Sequence, residues 1–459
     1  MNDEEIYKIF QDKPFCVILD SSLKVNKFGQ YSIITFEPFM LFKSKGNYIE
    51  LIKDGVIEKI CDDPLKYLRA LLNKYRFEKH FDEIPFISGC AGYFSYDLFR
   101  SIEKYPQNEK DDENVPDIML GFYNNAVIID HKSESVYITA TSIGLPESSY
   151  LEQMVKQRVT QIKAILNMRG GSLDKDEYGE ENGKGNNCDI VSNFTKESYC
   201  KIIERAREYI RNGDIYQVNL SQRFRTTISK KPYEIFKKLR KINPAPFSAY
   251  VNFDDIKIIS SSPERFIKIN GRTIETRPIK GTRPRGKNSD EDKKLRKELL
   301  NSEKDRAELI MIADLERNDL GRICKIGTVK VENLIEIEEY ATVFHLVSTI
   351  KGELKDDVDV MDCIEATFPG GSITGAPKIR AMEIIDELEP VKRNIYTGAI
   401  GYIGFNGDVD LNIAIRTIII KKDEAIFNVG GGIVWDSVPQ KEYQETLDKG
   451  KALIQVLAD

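Results

Sequence analysis

The sequence predicts a mixed α/β (α+β) fold. Three observations carry the prediction. Apolar runs rich in β-branched and aromatic residues crowd the first part of the chain, and a strong 3.6-residue periodicity sets in near residue 195. The chain has 459 residues, 41% of them hydrophobic and 31% charged, enough for a large core and too many for one simple one. The reading divides it into an N-terminal region over 1–168, a linker or mobile loop over 169–192 and a second region over 193–459.

Each element has a local reason. Strands are expected at Phe15–Leu19, Tyr31–Phe36 and Ala126–Ile129, where β-branched and aromatic residues cluster, with a helix over Pro64–Tyr75 between them. A second helix, Ser149–Met168, runs into Arg169-Gly170-Gly171-Ser172 and a polar stretch from Asp174 to Asn187 that can bury little. Beyond it Tyr199, Ile202, Ile203, Ala206, Tyr209 and Ile210 recur on one helical face, with Thr195 as the cap and Gly213 as the stop. Strands follow at Tyr216–Phe224, Ser248–Phe253 and Ile256–Ser261, helices between Glu291 and Arg317, and a last helix over Pro439–Val456. Motif spacing gives no internal repeat.

Charge and cysteine usage exclude several classes. The formal net charge is −6, which offers no general attraction to nucleic acid or anionic lipid, and the basic clusters Lys230-Lys231 and Lys237–Lys241 carry no nucleic-acid-binding signature. No run approaches the ~20 apolar residues that span a bilayer, and the start, Met1-Asn2-Asp3-Glu4-Glu5, is acidic where a signal peptide is basic. Seven scattered cysteines without a C-x-x-C pair fit a reducing compartment and argue against zinc. The reading is a cytoplasmic protein without nucleic-acid or membrane partners.

The chemistry concentrates around Lys280. A β-leaning stretch leads into Arg277-Pro278-Ile279-Lys280-Gly281-Thr282, where proline and glycine fix the backbone and a lysine amine could meet a ligand or simply face solvent. Two helices each carry an acid pair three residues apart, Asp305 with Glu308 and Glu442 with Glu445. Such pairs suit an oxygen-ligated Mg²⁺, and equally a solvated helix face. In the first of these helices Leu309, Ile312 and Leu315 mark the core side.

These motifs, in this order, resemble the chorismate-utilising enzymes: S-P-E-R-F at 262–266, P-I-K-G-T at 278–282, D-R-A-E with R-N-D at 305–319, G-G-S-I-T-G-A-P-K at 370–378 and E-Y-Q-E-T at 442–446. Lys280 resembles the large component of aminodeoxychorismate (para-aminobenzoate) synthases, since anthranilate synthases read P-I-A-G-T there. The resemblance implies a large mixed β-sandwich flanked by helices, with 1–168 the region similar to anthranilate synthase component I and 193–459 the chorismate-binding region. It implies Mg²⁺ held by Glu308 and Glu445 with Asp305 and Glu442 in support, Lys280 as nucleophile, and Glu264 assisting departure of the ring hydroxyl.

Further roles follow from the same likeness. Gly430, Gly431 and Gly432, with Thr374 and Gly375, would turn backbone N–H groups to substrate carboxylates, and Arg416 and Tyr396 would hold the enolpyruvyl carboxylate. Gln217, Gly281, Thr282, His345 and Lys449 complete the expected substrate contacts. Gln217 stands where isochorismate- and salicylate-forming relatives carry a lysine that activates water, which a neutral amide cannot do. Leu19, Ser21, Tyr31 and Ser32 mark a possible tryptophan pocket, because Leu19-Asp20-Ser21 resembles the Leu-Glu-Ser of tryptophan-inhibited relatives. Cys90, in Gly89-Cys90-Ala91-Gly92, lacks the context of a glutaminase nucleophile, so ammonia is expected from a separate glutaminase subunit. The expected reaction turns chorismate and ammonia into 4-amino-4-deoxychorismate for folate synthesis. An anthranilate synthase component and a non-catalytic chorismate or amino-acid sensor are the alternatives.

Overall fold

The computed structural model describes residues 2–21, 23, 29–78, 84–103, 105–106, 108–168, 189–340 and 343–458. Residues 169–188, which make up most of the expected linker and include Cys188, lie outside the described residues, as does His80.

Two large antiparallel sheets face each other. Across the first run Val191–Ser192, Gln217–Thr227, Glu424–Ile433, Thr417–Lys421, Ile256–Ser262, Phe247–Phe253, Cys16–Asp20, Tyr31–Thr35, Asn125–Asp130 and Ser135–Ala140, with the short Gly375–Ala376 paired to Gln217–Thr227. Across the second run Ile279–Pro284, Val343–Glu353, Thr273–Arg277, Arg265–Asn270, Val409–Ile413, Ala399–Gly404, Gly89–Phe94, Ile118–Tyr123, Met40–Lys45, Tyr48–Lys53 and Val56–Cys61, with Lys330–Glu339 also on Val343–Glu353. Both sheets take strands from each side of residues 169–188.

Alternation explains why so many strands read as unbroken apolar runs. In Cys16–Asp20, Cys16 and Ile18 enter a core roofed by helices, whereas Val17 enters a core between the two sheets. Ile258 and Ile259 divide the same way. The inter-sheet core joins Val17, Val251 and Ile258 of the first sheet to Tyr93, Ile400 and Tyr402 of the second. Helices cover the outer faces: Pro439–Ala458 and Pro232–Ile242 lie on the first sheet, and Pro64–Lys74, Glu303–Ile323 and Val360–Thr367 on the second. The architecture is a helix–sheet–sheet–helix sandwich, the mixed sandwich expected. Among the described residues no helix is long and apolar enough to cross a membrane.

Helix ends obey the local capping signals. In Lys196–Arg211, Thr195 caps the N-terminus by accepting from the Ser198 N–H, and Ser198 returns the bond, while Gly213 takes a φ of +83° beyond the end. The helical stretch expected between Glu291 and Arg317 is two helices, Ser289–Asn301 and Glu303–Ile323, split at Ser302, whose hydroxyl caps the second.

Candidate active site

A cavity of about 750 Å³ opens where the edges of the two sheets meet the helices Glu303–Ile323 and Pro439–Ala458. Its walls bring together Glu264, Lys280, Gly281, Thr282, His345, Tyr396, Arg416, Gly430, Gly432 and Lys449, and both acid pairs, Asp305 with Glu308 and Glu442 with Glu445. These residues come from positions spread over nearly 190 residues of sequence, and the fold converges them on one space.

Lys280 sits in the strand Ile279–Pro284, paired with Leu346 of Val343–Glu353 at a bulge. Its amine donates to the carbonyl of Ser372 at 3.0 Å. Gly281 follows with a φ of +74°, and a Cβ there would stand 2.9 Å from the Asp305 side chain, so only glycine lets the lysine strand approach the acid-bearing helix. Burial pulls the Lys280 amine below the ordinary lysine range, against the opposing pull of Glu308 and Glu264. Glu264 is buried, and its carboxylate accepts from the Ile279 N–H at 3.3 Å. Burial raises it above the usual carboxylate range, with the Lys280 charge opposing. The two shifts run toward a neutral amine beside a neutral acid, the protonation states that nucleophilic attack and general-acid catalysis need.

Other residues of the lining offer a cation and neutral polar groups. Arg416 takes a φ of +49° between the strands Val409–Ile413 and Thr417–Lys421, a conformation that costs about 1–2 kcal/mol outside glycine. Its guanidinium reaches the Asn243 amide oxygen at 3.2 Å, and burial lowers its pKa, with Tyr340 opposing. Gly430 admits no side chain, because a Cβ would lie 2.5 Å from the Leu220 carbonyl and 2.9 Å from the Tyr396 hydroxyl. The phenol of Tyr396 is thereby brought up to bare backbone, and burial pushes it up to about 12, so it stays a hydrogen-bond donor. His345 bonds Thr282 through Nδ1 at 2.9 Å. Burial and the Arg416 charge push it down to about 3, so it works as a neutral imidazole.

Three of the expected contacts, Thr374, Gly375 and Gln217, stand behind the cavity wall. Thr374 donates its hydroxyl to the Gly370 carbonyl at 3.0 Å, and Gly375 pairs with Val218. Both shape the strand junction. Gly431 faces the second acid pair: a Cβ on it would lie 3.6 Å from Glu442 and 3.8 Å from Glu445. Gln217 is wholly buried, and neither amide atom has a hydrogen-bond partner among the described residues. Its Nε2 packs 2.8 Å from the position a Gly432 Cβ would take.

The acid pairs fit a divalent cation in their chemistry. Burial raises Glu308, and Asp305 and Glu445 raise it further, so the pairs repel across one space. Basic side chains offset part of this repulsion: Lys304 lies 3.8 Å from Glu308, Lys449 lies 2.8 Å from Glu445, and Arg283 donates to Asp305 at 3.1 Å. Burial would raise Glu445 as well, but Lys449, Lys304 and Lys280 outweigh it and hold it low. Among the described residues no three carboxylate, imidazole or thiol groups are placed to hold a metal by themselves, and Mg²⁺ commonly takes one or two carboxylates and completes its shell with water and substrate oxygens.

Asn219, Asn243 and Asn428 also line the cavity with no motif role to mark them, and Ser372 lines it from within the motif at 370–378. A signal for one existed. In Gln217-Val218-Asn219-Leu220-Ser221 polar residues alternate with apolar ones inside a buried strand, which is unusual unless one face meets a ligand. The Asn219 amide nitrogen is buried with no hydrogen bond of good geometry among the described residues, and Asn219 lies beside the Tyr396 phenol.

A second cavity, of about 640 Å³, lies between the sheets and is lined by Leu19, Ser21 and Tyr31. The Ser32 hydroxyl instead pairs with His131 Nε2 at 2.7 Å and accepts from the Ser21 N–H at 3.1 Å. Cys90 is buried in a central strand, its thiol pushed up to about 12 by burial, the opposite of an activated nucleophile.

The sequence pattern of the chorismate binding enzymes matches residues 37–455. The chain is 39% identical to anthranilate synthase component 1 of Acetivibrio thermocellus, over 99% of this chain and 92% of that one. It is 38% identical to aminodeoxychorismate synthase component 1 of Bacillus subtilis, over 99% and 94%. Among solved structures it resembles anthranilate synthase component I from Streptococcus pneumoniae, with a TM-score of 0.80 and 34% identity over 92% of this chain and 91% of that one. The fold is shared with the menaquinone-specific isochorismate synthase from Escherichia coli, with a TM-score of 0.72 at 17% identity over 100% and 91%.

Proposed function

The chain belongs to the chorismate binding enzyme family, and from that premise we propose that it is the large component of an aminodeoxychorismate synthase, converting chorismate and ammonia to 4-amino-4-deoxychorismate. One observation carries the choice: the Lys280 amine stands in the cavity, pulled toward neutrality, beside a Glu264 raised toward its acid form. Relatives of equal identity bear the name anthranilate synthase, so identity does not separate the two readings. The lysine favours amination at C4, since anthranilate synthases carry alanine in that motif.

In the proposed reaction Glu264 gives its proton to the C4 hydroxyl as the C4–O bond breaks and water leaves. In the same step Lys280 attacks C2, its nitrogen lone pair forming the new bond while the ring double bonds shift toward C4 and expel that water. Ammonia then attacks C4, the double bonds shift back, and the C2–N bond to Lys280 breaks to free the amine. Arg416 and Tyr396 hold the enolpyruvyl carboxylate throughout. Glu308 and Glu445 would hold Mg²⁺, whose charge would neutralise the ring carboxylate. Ammonia comes from a partner glutaminase, in keeping with the name component 1 carried by the relatives. Lys280→Ala tests the reading: C4 amination should fall by roughly a thousandfold or more, the scale on which loss of a covalent nucleophile acts. A wild-type rate of C4 amination in that variant would remove Lys280 from the reaction.

A further inference from the structure

Arg393 is among the largest side chains the fold buries completely, at 0% exposure. A guanidinium cannot lose its proton, so its burial requires full pairing. Glu389 supplies a two-pronged partner, accepting from Nε at 3.0 Å and from Nη2 at 2.7 Å. The remaining donors reach two backbone carbonyls and a hydroxyl: Nη1 donates to the carbonyl of Ile373 at 3.1 Å and to Thr397 Oγ1 at 3.4 Å, and Nη2 to the carbonyl of Asn219 at 2.6 Å. Glu389 in turn accepts from the N–H of Ser221 at 2.7 Å and from its hydroxyl at 3.1 Å. The guanidinium also lies 5.9 Å from the centre of the Tyr396 ring.

One buried ion pair thus fastens three separate segments of the cavity wall: the strand bearing Asn219, the turn Ser372–Ile373 and the loop bearing Tyr396. Ile373 directly follows Ser372, whose carbonyl receives the Lys280 amine. Stability alone gives little reason for such a pair, because well-packed apolar residues often replace a buried ion pair without loss. A planar fork does what they cannot, fixing two carbonyls from distant segments in one register.

We infer that Arg393 and Glu389 are a positioning pair for the proposed amination, holding the Ser372 carbonyl and through it the Lys280 amine in the attacking geometry. The inference rests on the role proposed for Lys280. Arg393→Lys keeps the charge but cannot span both carbonyls. It should lower kcat by about 10- to 100-fold, the scale of a misplacement near 1 Å, and change KM for chorismate by less than about threefold.

The deciding readout needs no turnover. Acetic anhydride labelling of Lys280, measured by mass spectrometry against the other lysines of the same digest, should change at least about threefold in Arg393→Lys while the circular dichroism spectrum stays that of the wild type. Lys280 labelling at the wild-type ratio overturns the inference whatever kcat does. If Arg393→Lys does not fold, Ser221→Ala, which removes only one contact to Glu389, is labelled instead: a shifted ratio supports the pair, and a wild-type ratio overturns it. Should the wild-type enzyme make no aminodeoxychorismate, the functional proposal fails by its products, while the labelling still decides whether the pair positions Lys280.

Discussion

The amine of Lys280 donates a 3.0 Å hydrogen bond to the carbonyl of Ser372, in a turn that follows the strand of Lys280 by some ninety residues of sequence. A lysine tethered to a neutral acceptor in a cavity wall, half-buried, has lost part of the solvation that keeps an ammonium charged. Glu264 and Glu308 pull the other way, and burial prevails.

Lys280 should therefore react as a free amine at lower pH than the surface lysines. Burial lowers its pKa, so the neutral fraction rises through a midpoint below the ordinary value of about 10.4. Labelling rates of Lys280 between pH 7 and 11, followed peptide by peptide, should reach half-maximum at lower pH than those of exposed lysines such as Lys287. Coincident curves would mean that the site does not activate the amine.

Glu308→Ala and Glu445→Ala should each raise the Mg²⁺ concentration needed for half-maximal chorismate binding by at least about tenfold, since loss of even an outer partner of a metal ligand costs that much. Aspartate at either position should also fail, because Mg²⁺ tolerates little displacement of its ligands. Calorimetric titration of chorismate at stepped Mg²⁺ checks this, and unchanged curves in both alanine variants would move the metal elsewhere.

His345 gives a prediction about stability. Its pKa is pushed from 6.5 down to about 3 in the folded protein. Between those values the unfolded chain takes up a proton that the folded one refuses, so stability falls as pH drops from 7 toward 4. His345→Gln removes this term. The loss of melting temperature between pH 7 and pH 5 should be smaller in the variant than in the wild type, and an equal loss would show that the imidazole titrates normally.

The purified chain should aminate chorismate with ammonium salts and use glutamine only when a separate glutaminase is added. Cys90 is buried with its thiol raised, and His131 and His345 are engaged by Ser32 and Thr282. Activity with ammonium should rise with pH as free ammonia becomes more abundant, until enzyme groups titrate. Glutamine-dependent amination by the chain alone would contradict the two-component reading.

Much of the fold, and the convergence of the candidate residues on one cavity, was legible in the sequence because the motifs carry backbone constraints. Proline and glycine around Lys280, the i,i+3 acid pairs and the Thr195 cap are local signals, and the structure places them in matching elements. What local patterns could not give was depth. Thr374 and Gly375 read like Ser372 in the same segment, yet only Ser372 and Ile373 reach the cavity, because the strand pairing of Gly375 with Val218 draws the next residues into a sheet. Arg393 was invisible for a related reason. Its partners Asn219, Ile373 and Glu389 come from three elements, and only tertiary packing turns a lysine- and arginine-containing loop into a buried clamp.

The most direct measurement is the mass spectrum and chromatographic identity of the products made from chorismate, Mg²⁺ and ammonium by the purified wild-type chain. The account predicts 4-amino-4-deoxychorismate, with the enolpyruvyl group retained and no pyruvate released. Anthranilate with stoichiometric pyruvate would place amination at C2 and contradict the role given to Lys280.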